Sequence, residues 1–196
     1  MSFINYNAKE IHCKVVYYGP SLGGKTTNIQ WVYQKTRGDD NSDLFSIPGD
    51  AERTLFYDML PLQVGEIQGY KTRFHLYTVP GQVVYDASRK LILKGLDGLI
   101  FVADSQEERM EENLQALKNL ERNLTQQGYD INEVPLVFQY NKRDLPNALP
   151  LHEMKTALNK YNSPDFEGTA SEGKGVFESL KSVSKSIINI LKGGEI

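Results

Sequence analysis

Apolar and polar positions follow two different periods along this chain, and the change between them predicts alternating strands and helices. The run Ile11–Tyr18 predicts a strand, and a helix is expected to begin near Lys25, after a glycine-rich turn. Gly98–Ala103 and Val134–Tyr140 are almost continuously apolar, which is typical of central parallel strands that are covered on both faces.

The segment between the first helix and residue 80 predicts a long loop followed by a hairpin. Arg37–Asp50 is rich in glycine, asparagine and aspartate, and a loop of this length in a compact domain is usually functional. Leu60–Val64 has the alternation of a strand, and Pro61 within it removes a backbone donor, so we expect this strand at a sheet edge. Gln68–Gly69 separates it from Tyr70–Val79, and the pair predicts an antiparallel hairpin.

Two longer segments, Met110–Leu124 and Val176–Leu191, have the spacing of amphipathic helices. Strands that alternate with helices indicate an α/β fold. We therefore expect a mostly parallel, six-stranded sheet with an antiparallel edge hairpin and helices on both faces.

Composition narrows the classes of function. The chain has 196 residues, 40% hydrophobic and 24% charged, which fits one domain over residues 1–196. A net charge of −3 without a basic stripe argues against a nucleic-acid partner. Cys13 is the only cysteine, so an intramolecular disulfide is excluded and a reducing cytoplasm is expected.

No membrane attachment is expected from the chain itself. No apolar run has the length of a membrane span, and Ser2 stands where myristoylation requires glycine. The last residues contain no cysteine for prenylation. We therefore expect a cytoplasmic protein that is recruited to a membrane or a cell pole only by partners.

The residues Gly19–Thr26 match the pattern G-x-x-x-x-G-K-[ST] between a predicted strand and a predicted helix. The backbone N–H groups of such a loop, with the positive end of the helix, form a cradle for phosphate. Lys25 is expected between the β- and γ-phosphates, and the Thr26 hydroxyl on Mg²⁺. The residues expected to contact the nucleotide in this segment are Gly19, Pro20, Ser21, Leu22, Gly23, Gly24, Lys25, Thr26 and Thr27.

The residues Asn141–Asp144 are expected to determine whether guanine or adenine is bound. The motif follows the buried strand Val134–Tyr140 and so lies at the edge of the sheet where ligands bind in open α/β folds. The carboxylate of Asp144 is expected to accept the N1 and N2 hydrogens of guanine. Adenine lacks this pair of donors, and a buried carboxylate without a partner would reject it.

These segments together resemble the Ras-like small GTPases over almost the whole chain. The resemblance implies a P-loop NTPase G domain in which Asn141, Lys142 and Asp144 read guanine. It also implies a third contact from Thr169, Ala170 and Ser171, in which the N–H of Ala170 meets the guanine O6. Ser171 stands where the family usually has lysine.

Val79–Gln82 resembles the second switch of the same family. The resemblance implies that Gly81 senses the γ-phosphate through its N–H and that Gln82 orients the attacking water. The family's second switch begins with an aspartate that helps to hold Mg²⁺, and Thr78 stands there in this chain.

Glu52–Asp58 and Thr78–Gln82 are similar to the bacterial MglA family. That resemblance implies a slow GTPase that acts as a switch in cell polarity and gliding motility. It further implies a roadblock-type activating protein of the MglB kind and effectors that bind the switch loops. We expect the free protein to be a monomer, because no apolar stripe is left unused by the fold.

The first switch supplies two more candidates. Thr54 is the only serine or threonine in Ala51–Asp58, and it is expected to join Thr26 on Mg²⁺. Arg53 is expected to act as an arginine finger within the same chain, mainly because of the resemblance. Asp58 either replaces the carboxylate missing at Thr78 or is an exposed residue of an edge strand.

Two other functions stay open at this point. A small P-loop kinase is disfavoured because no segment is left for an acceptor-binding lid. A scaffold that binds GTP with negligible turnover remains possible because of Thr78. The histidines, His12, His75 and His152, show no ligand spacing, so no metal other than Mg²⁺ is expected.

Overall fold

The computed structural model describes residues 3–36, 45–48, 54–80 and 85–193, with residues 3, 45–48, 54–59, 63 and 64 described by their backbone alone. In chain order the elements are β1 (Phe3–Asn5), β2 (Glu10–Tyr18), α1 (Lys25–Thr36), β3 (Phe45–Pro48), β4 (Thr54–Ile67), β5 (Tyr70–Thr78), α2 (Asp86–Leu93), β6 (Gly98–Asp104), α3 (Met110–Gln126), β7 (Leu136–Asn141), α4 (Leu151–Leu158), β8 (Asp165–Glu167) and α5 (Val176–Gly193).

One sheet organises these elements in the order β3-β4-β5-β2-β6-β7-β8, with β1 paired to β2. The strands from β5 through β2, β6 and β7 to β8 pair in parallel, while β3, β4 and β5 pair antiparallel. The predicted mixed α/β fold is thus confirmed. The described part of the sheet has eight strands rather than the predicted six, and the short strands β1, β3 and β8 correspond to no segment in which the sequence pattern predicted a strand.

The predicted hairpin is present, with one correction at its outer side. The turn residues Gln68 and Gly69 have φ values of 51° and 82°, which is the conformation of the tight hairpin turn whose twist matches the strands. Pro61 pairs with His75 on the inner side. Part of the predicted loop is strand β3, which pairs with the first half of β4 and so becomes the outermost strand there.

Two apolar clusters cover the two faces of the sheet. Helices α1 and α5 pack on one face, and helices α2, α3 and α4 pack on the other. Every residue of β6 and of β7 is buried, as the continuous apolar runs predicted. The carboxyl ends of these two strands are consequently fixed in position, and both reach the loops that follow them.

We expect the burial of α5 to determine its contribution to stability. Ile187 is 2% exposed, whereas Ile190 on the same helix is 59% exposed. Ile187→Ala should lower the free energy of unfolding by about 2–5 kcal/mol, since it leaves a cavity under the sheet. Ile190→Ala, the matched control, should change it by less than about 0.5 kcal/mol. Denaturant unfolding measures both, and equal losses would mean that α5 does not pack as described.

Candidate nucleotide-binding site

The loop between β2 and α1 approaches the neighbouring strands so closely that only glycine fits at two positions. Gly19 has a φ of 140°, and a Cβ atom there would overlap the carbonyl oxygen of Val102 in β6. Gly24 has a φ of 99°, and a Cβ atom there would overlap the side-chain amide of Asn141. The glycines thus set the distance between this loop and the ends of β6 and β7.

Lys25 lies inside the loop rather than in solvent. Its side chain is buried, and its Nζ donates hydrogen bonds to the carbonyl oxygens of Gly19 at 3.2 Å and Pro20 at 2.6 Å. Thr26 and Thr27 follow in the first turn of α1, partly buried. A buried ammonium group, a glycine loop and the positive end of a helix are thereby brought together, which is an arrangement that attracts phosphate.

Asn141 joins this loop to the opposite side of the site. Its Nδ2 donates to the carbonyl oxygen of Gly23 at 2.9 Å, and its Oδ1 accepts the N–H of Ala170 at 2.9 Å. One buried amide therefore holds the phosphate loop against the loop over residues 168–175. The N–H of Ala170, which the resemblance assigned to guanine O6, already has an acceptor, so the two acceptors would share it.

Asp144 is exposed, which corrects the expectation of a buried carboxylate. It has no hydrogen-bond or ion-pair partner in the part of the chain that the structure describes. The motif around it is held by its backbone, because Arg143 N–H donates to the carbonyl oxygen of Gly168 at 3.0 Å. The predicted discrimination against adenine would therefore require the base itself to cover this carboxylate.

Ser171 is exposed, while Thr169 is buried beside Ala170. The loop over residues 168–175 closes on itself through hydrogen bonds between Thr169 and Lys174. Gly173 has a φ of 80° and lies against the ring of Trp31 in α1, where a Cβ atom would overlap the ring. The position of this loop is thus set by α1 as well as by Asn141.

Asp104 is a site residue that the sequence reasoning missed. It ends β6, is fully buried, and accepts a hydrogen bond from Lys142 Nζ at 2.6 Å. Arg109 Nε lies 3.7 Å from the same carboxylate, and its other nitrogen donates to the carbonyl oxygen of Ser21 at 2.8 Å. One buried carboxylate thus orients the lysine of the base motif and an arginine that holds the phosphate loop from outside. The signal was a charged residue directly after a continuous apolar strand, at the ligand-binding edge.

The predicted switch residues are mostly outside the described residues. Arg53, Gly81 and Gln82 fall there, and Thr54 is described only by its backbone, which pairs with Pro48. Thr78 is fully buried at the end of β5. The assignments of these residues to magnesium binding and to hydrolysis therefore stay predictions.

Helix α2, which follows the predicted second switch, is held in place by a network of polar side chains. The carboxylate of Asp86, near the start of α2, accepts hydrogen bonds from Asn119 at 2.8 Å and Asn123 at 3.1 Å, and it pairs with Lys90 at 3.1 Å. Partial burial raises the pKa of this carboxyl, but these hydrogen bonds outweigh burial and hold the pKa well below its usual range. The Tyr18 hydroxyl donates to Asn119, so the end of β2 belongs to the same network.

Two of the histidines meet in space although they are far apart in sequence. His12 Nδ1 lies 2.8 Å from His75 Nε2, and Glu10 lies 3.2 Å from the other nitrogen of His12. Burial, with His12 and Arg73 nearby, lowers the pKa of His75. Over the described residues, no group of three potential ligands is arranged for a metal ion.

Several known proteins are similar to this chain over all or part of its length. The model of the ADP-ribosylation factor family matches residues 50–187. The mutual gliding-motility protein MglA of Myxococcus xanthus (strain DK1622) is 60% identical over 194 residues, which cover 99% of this chain and 100% of that protein. The ADP-ribosylation factor-related protein 1 of Bos taurus is 27% identical over 188 residues, 92% of this chain and 87% of that protein. The ADP-ribosylation factor-like protein 4A of Homo sapiens is 37% identical over 86 residues, 43% and 40% of the two chains.

The close approach of Gly24 to Asn141 leads to a testable expectation. Gly24→Ala should displace the amide that makes two hydrogen bonds, and so lower the affinity for a guanine nucleotide by roughly tenfold to a hundredfold. A titration with a fluorescent GDP analogue measures this affinity.

Gly128→Ala is the matched control. Gly128 has a similar φ of 78°, but nothing lies within 4 Å of a Cβ atom there. This change should strain the backbone comparably and leave the affinity unaltered. If both variants bind equally well, the contact with Asn141 does not shape the site.

Proposed function

This chain belongs to the ADP-ribosylation factor family of Ras-like small GTPases, and we propose that it is a nucleotide-dependent switch that binds GTP or GDP with Mg²⁺ and hydrolyses GTP slowly. Members of this family hydrolyse GTP to GDP and phosphate, and the chain is accordingly a GTP hydrolase. We infer a single G domain over residues 1–196, a slow rate and the switching role from the site and its relatives.

The amide of Asn141 is the observation that carries the proposal. A nucleotide has phosphates at one end and a base at the other, so its site must hold two recognition loops at one fixed separation. Asn141 contacts Gly23 in the phosphate loop between β2 and α1. It also contacts Ala170 in the loop over residues 168–175, which we call the base-side loop. Asp144 follows three residues later, just beyond the end of the same strand, which supports its proposed role as the carboxylate that reads guanine.

The residues of the phosphate loop fit a nucleotide with its Mg²⁺. The backbone at Gly19 and Gly24 lets phosphate oxygens approach N–H groups, and the ammonium of Lys25 lies within the same loop. The hydroxyl of Thr26 is a ligand type that Mg²⁺ accepts, and Thr54 would add a second hydroxyl from the first switch. The ion supplies positive charge that offsets the charge of the phosphates.

Hydrolysis is proposed to depend on the two switches. Gly81 would donate its N–H to the γ-phosphate, Gln82 would orient the attacking water, and Arg53 would offset the charge that develops on the transferred group. All three contributions come from positioning and electrostatics.

Asp58 is our proposed substitute for the carboxylate that is missing at Thr78. Met59 pairs with Tyr77 in the antiparallel ladder of β4 and β5, and Asp58 and Thr78 are the next residues of the two strands beyond this pair. Asp58 is therefore close enough along the sheet to Thr78 to help hold Mg²⁺ in place of the missing aspartate.

The biological role is proposed from the similarity to MglA, whose name describes mutual gliding motility. We propose that this chain acts in cell polarity and motility, with a roadblock-type activator of the MglB kind and with effectors at residues 50–58 and 80–94. We also propose that the free protein is a cytoplasmic monomer and that partners bring it to a cell pole. None of the described helices is long and apolar enough to cross a membrane.

A scaffold that binds GTP with negligible turnover is the second candidate. The specific observation in its favour is Thr78, which is fully buried at the start of the second switch and carries no carboxylate. Phosphate release from bound GTP in a single turnover separates the two candidates, since a scaffold would retain GTP even with an activator.

We expect Asp144→Asn to change the preferred base. An amide donates to the C2 carbonyl of xanthine, whereas a carboxylate accepts from the N2 group of guanine. The variant should lose GTP affinity by at least roughly a hundredfold and gain affinity for XTP. Competition titrations with GTP, XTP and ATP measure the change.

Glu178→Gln, an exposed acid-to-amide change in α5, is the charge control and should bind as the parent chain does. Unchanged GTP affinity in Asp144→Asn, without any gain for XTP, would refute the assignment of the base-reading residue.

We further expect Arg53→Ala and Gln82→Leu to abolish stimulated hydrolysis. An arginine finger contributes roughly 10³–10⁵-fold to the rate, so each variant should lose most of the stimulation by an MglB-like dimer. GDP affinity should stay close to that of the parent chain, which serves as the internal control. Single-turnover phosphate release measures the rate. An unaltered rate for Arg53→Ala would mean that this arginine is not the finger.

A further inference from the structure

Two amide side chains face each other in the interior behind the phosphate loop. Asn28 in α1 and Gln139 in β7 are both fully buried. Asn28 Nδ2 donates to Gln139 Oε1 at 2.8 Å, and Gln139 Nε2 donates to Asn28 Oδ1 at 2.9 Å. The two side chains thus form a reciprocal pair that joins the helix after the phosphate loop to the strand before the base motif.

The remaining donors of the pair reach backbone on both sides of the site. Asn28 Nδ2 also donates to the carbonyl oxygen of Gly24 at 2.9 Å. Gln139 Nε2 also donates to the carbonyl oxygen of Gly175 at 3.0 Å, just before α5. Both amides therefore have every donor and acceptor engaged, in one chain of contacts from the phosphate loop to the base-side loop.

Burial of these two amides would destabilise the protein if any of their hydrogen-bonding groups lacked a partner. Helices α1 and α5 and strand β7 all contribute residues to one apolar cluster, and a buried amide without partners destabilises a protein by about 1–3 kcal/mol. A network that is fully satisfied admits one arrangement of its elements, because any shift leaves a group without a partner. The pair therefore restricts how α1 can move relative to β7.

The pair also lies on the same face of β7 as Asn141. Gln139 and Asn141 are two residues apart on one strand, so they point to the same side of the sheet. Asn141 links Gly23 to Ala170, and the pair links Gly24 to Gly175. The phosphate loop and the base-side loop are consequently connected through two residues of the same strand, Gln139 and Asn141.

We propose that Asn28 and Gln139 are positioning residues for guanine nucleotide binding, which set the separation between the phosphate loop and the base-side loop. The proposal rests on the function proposed above and deepens it. A nucleotide that contacts both loops senses their separation, so loss of the pair should speed its dissociation. Both side chains are fully buried behind the phosphate loop, so they would act through the two loops and not directly on the nucleotide.

The test replaces both amides by apolar side chains of similar shape, Asn28→Leu with Gln139→Met in the full chain. Replacing both partners of a buried hydrogen bond can be nearly neutral for stability, so the double variant should fold. The rate of GDP dissociation, measured with a fluorescent analogue, should rise about tenfold, the equivalent of one or two net hydrogen bonds. Circular dichroism checks the fold.

The fluorescence emission of Trp31, the only tryptophan, gives an independent measurement of the position of the base-side loop. Its ring packs against Gly173 of the base-side loop, so its emission should shift if that loop moves away from α1. Thr72→Val is the control, since it makes a buried polar position apolar in β5 at the end of the sheet away from the phosphate loop. It should leave both the dissociation rate and the emission unchanged.

The outcomes separate this proposal from the function on which it rests. If the parent chain binds GDP and the folded double variant releases it within twofold of the parent rate, the pair is only core packing and the proposal fails. If the parent chain itself binds no guanine nucleotide, the proposed function fails and takes the proposal with it. If the double variant does not fold, Gln139→Asn decides, because this shorter amide cannot span from Asn28 to Gly175. It should speed dissociation several-fold, and a parental rate would refute the proposal.

Discussion

The side-chain amide of Asn141 is the contact on which the nucleotide site depends. An amide can donate with one atom and accept with the other, which neither a carboxylate nor an aliphatic group can do. Asn141 uses both abilities, on the carbonyl of Gly23 and the N–H of Ala170. The absence of a side chain at Gly24 makes room for this amide. Glycine at position 24 and asparagine at position 141 are therefore required for the same reason, because the amide of Asn141 occupies the space that the missing side chain of Gly24 leaves.

The two halves of the sheet serve different purposes. Strands β6 and β7 are buried along their whole length, and their last residues, Asp104 and Asn141, hold the loops that follow. The antiparallel strands β4 and β5 lie on the other side of β2, and β5 ends at the start of the second switch. The loops predicted to contact the nucleotide thus follow the most completely buried strands of the described sheet, while the predicted second switch follows β5, which is only partly buried.

Much of the fold was predictable because its signals are local. The phosphate loop, the central strands and the long helices α3 and α5 follow from motifs and periods that a single segment displays. Helices α2 and α4 have only eight residues each, too short for a period to be recognised. Asp104, the contact between His12 and His75, and the Asn28–Gln139 pair depend on residues that the fold brings together from distant segments. Their sequence separations reach 111 residues for Asn28 and Gln139, so no local pattern identifies the partners, although a charge directly after an apolar strand marks Asp104 itself.

The hairpin of β4 and β5 has a consequence for the order in which this chain folds. Its turn, Gln68–Gly69, joins adjacent strands, so its contacts close only a short loop and can form within about 1–10 μs. Strand β2 must instead find β5 and β6 across long connections, and non-local pairing of this kind is slow. During synthesis β2 is among the first strands to emerge, yet it cannot complete its pairing until more than eighty further residues have followed, since Val15 pairs with Gly98. The strand that carries the phosphate loop therefore waits for β6, and the loop over residues 168–175, which Asn141 holds against the phosphate loop, emerges later still, so nucleotide binding becomes a late event in folding.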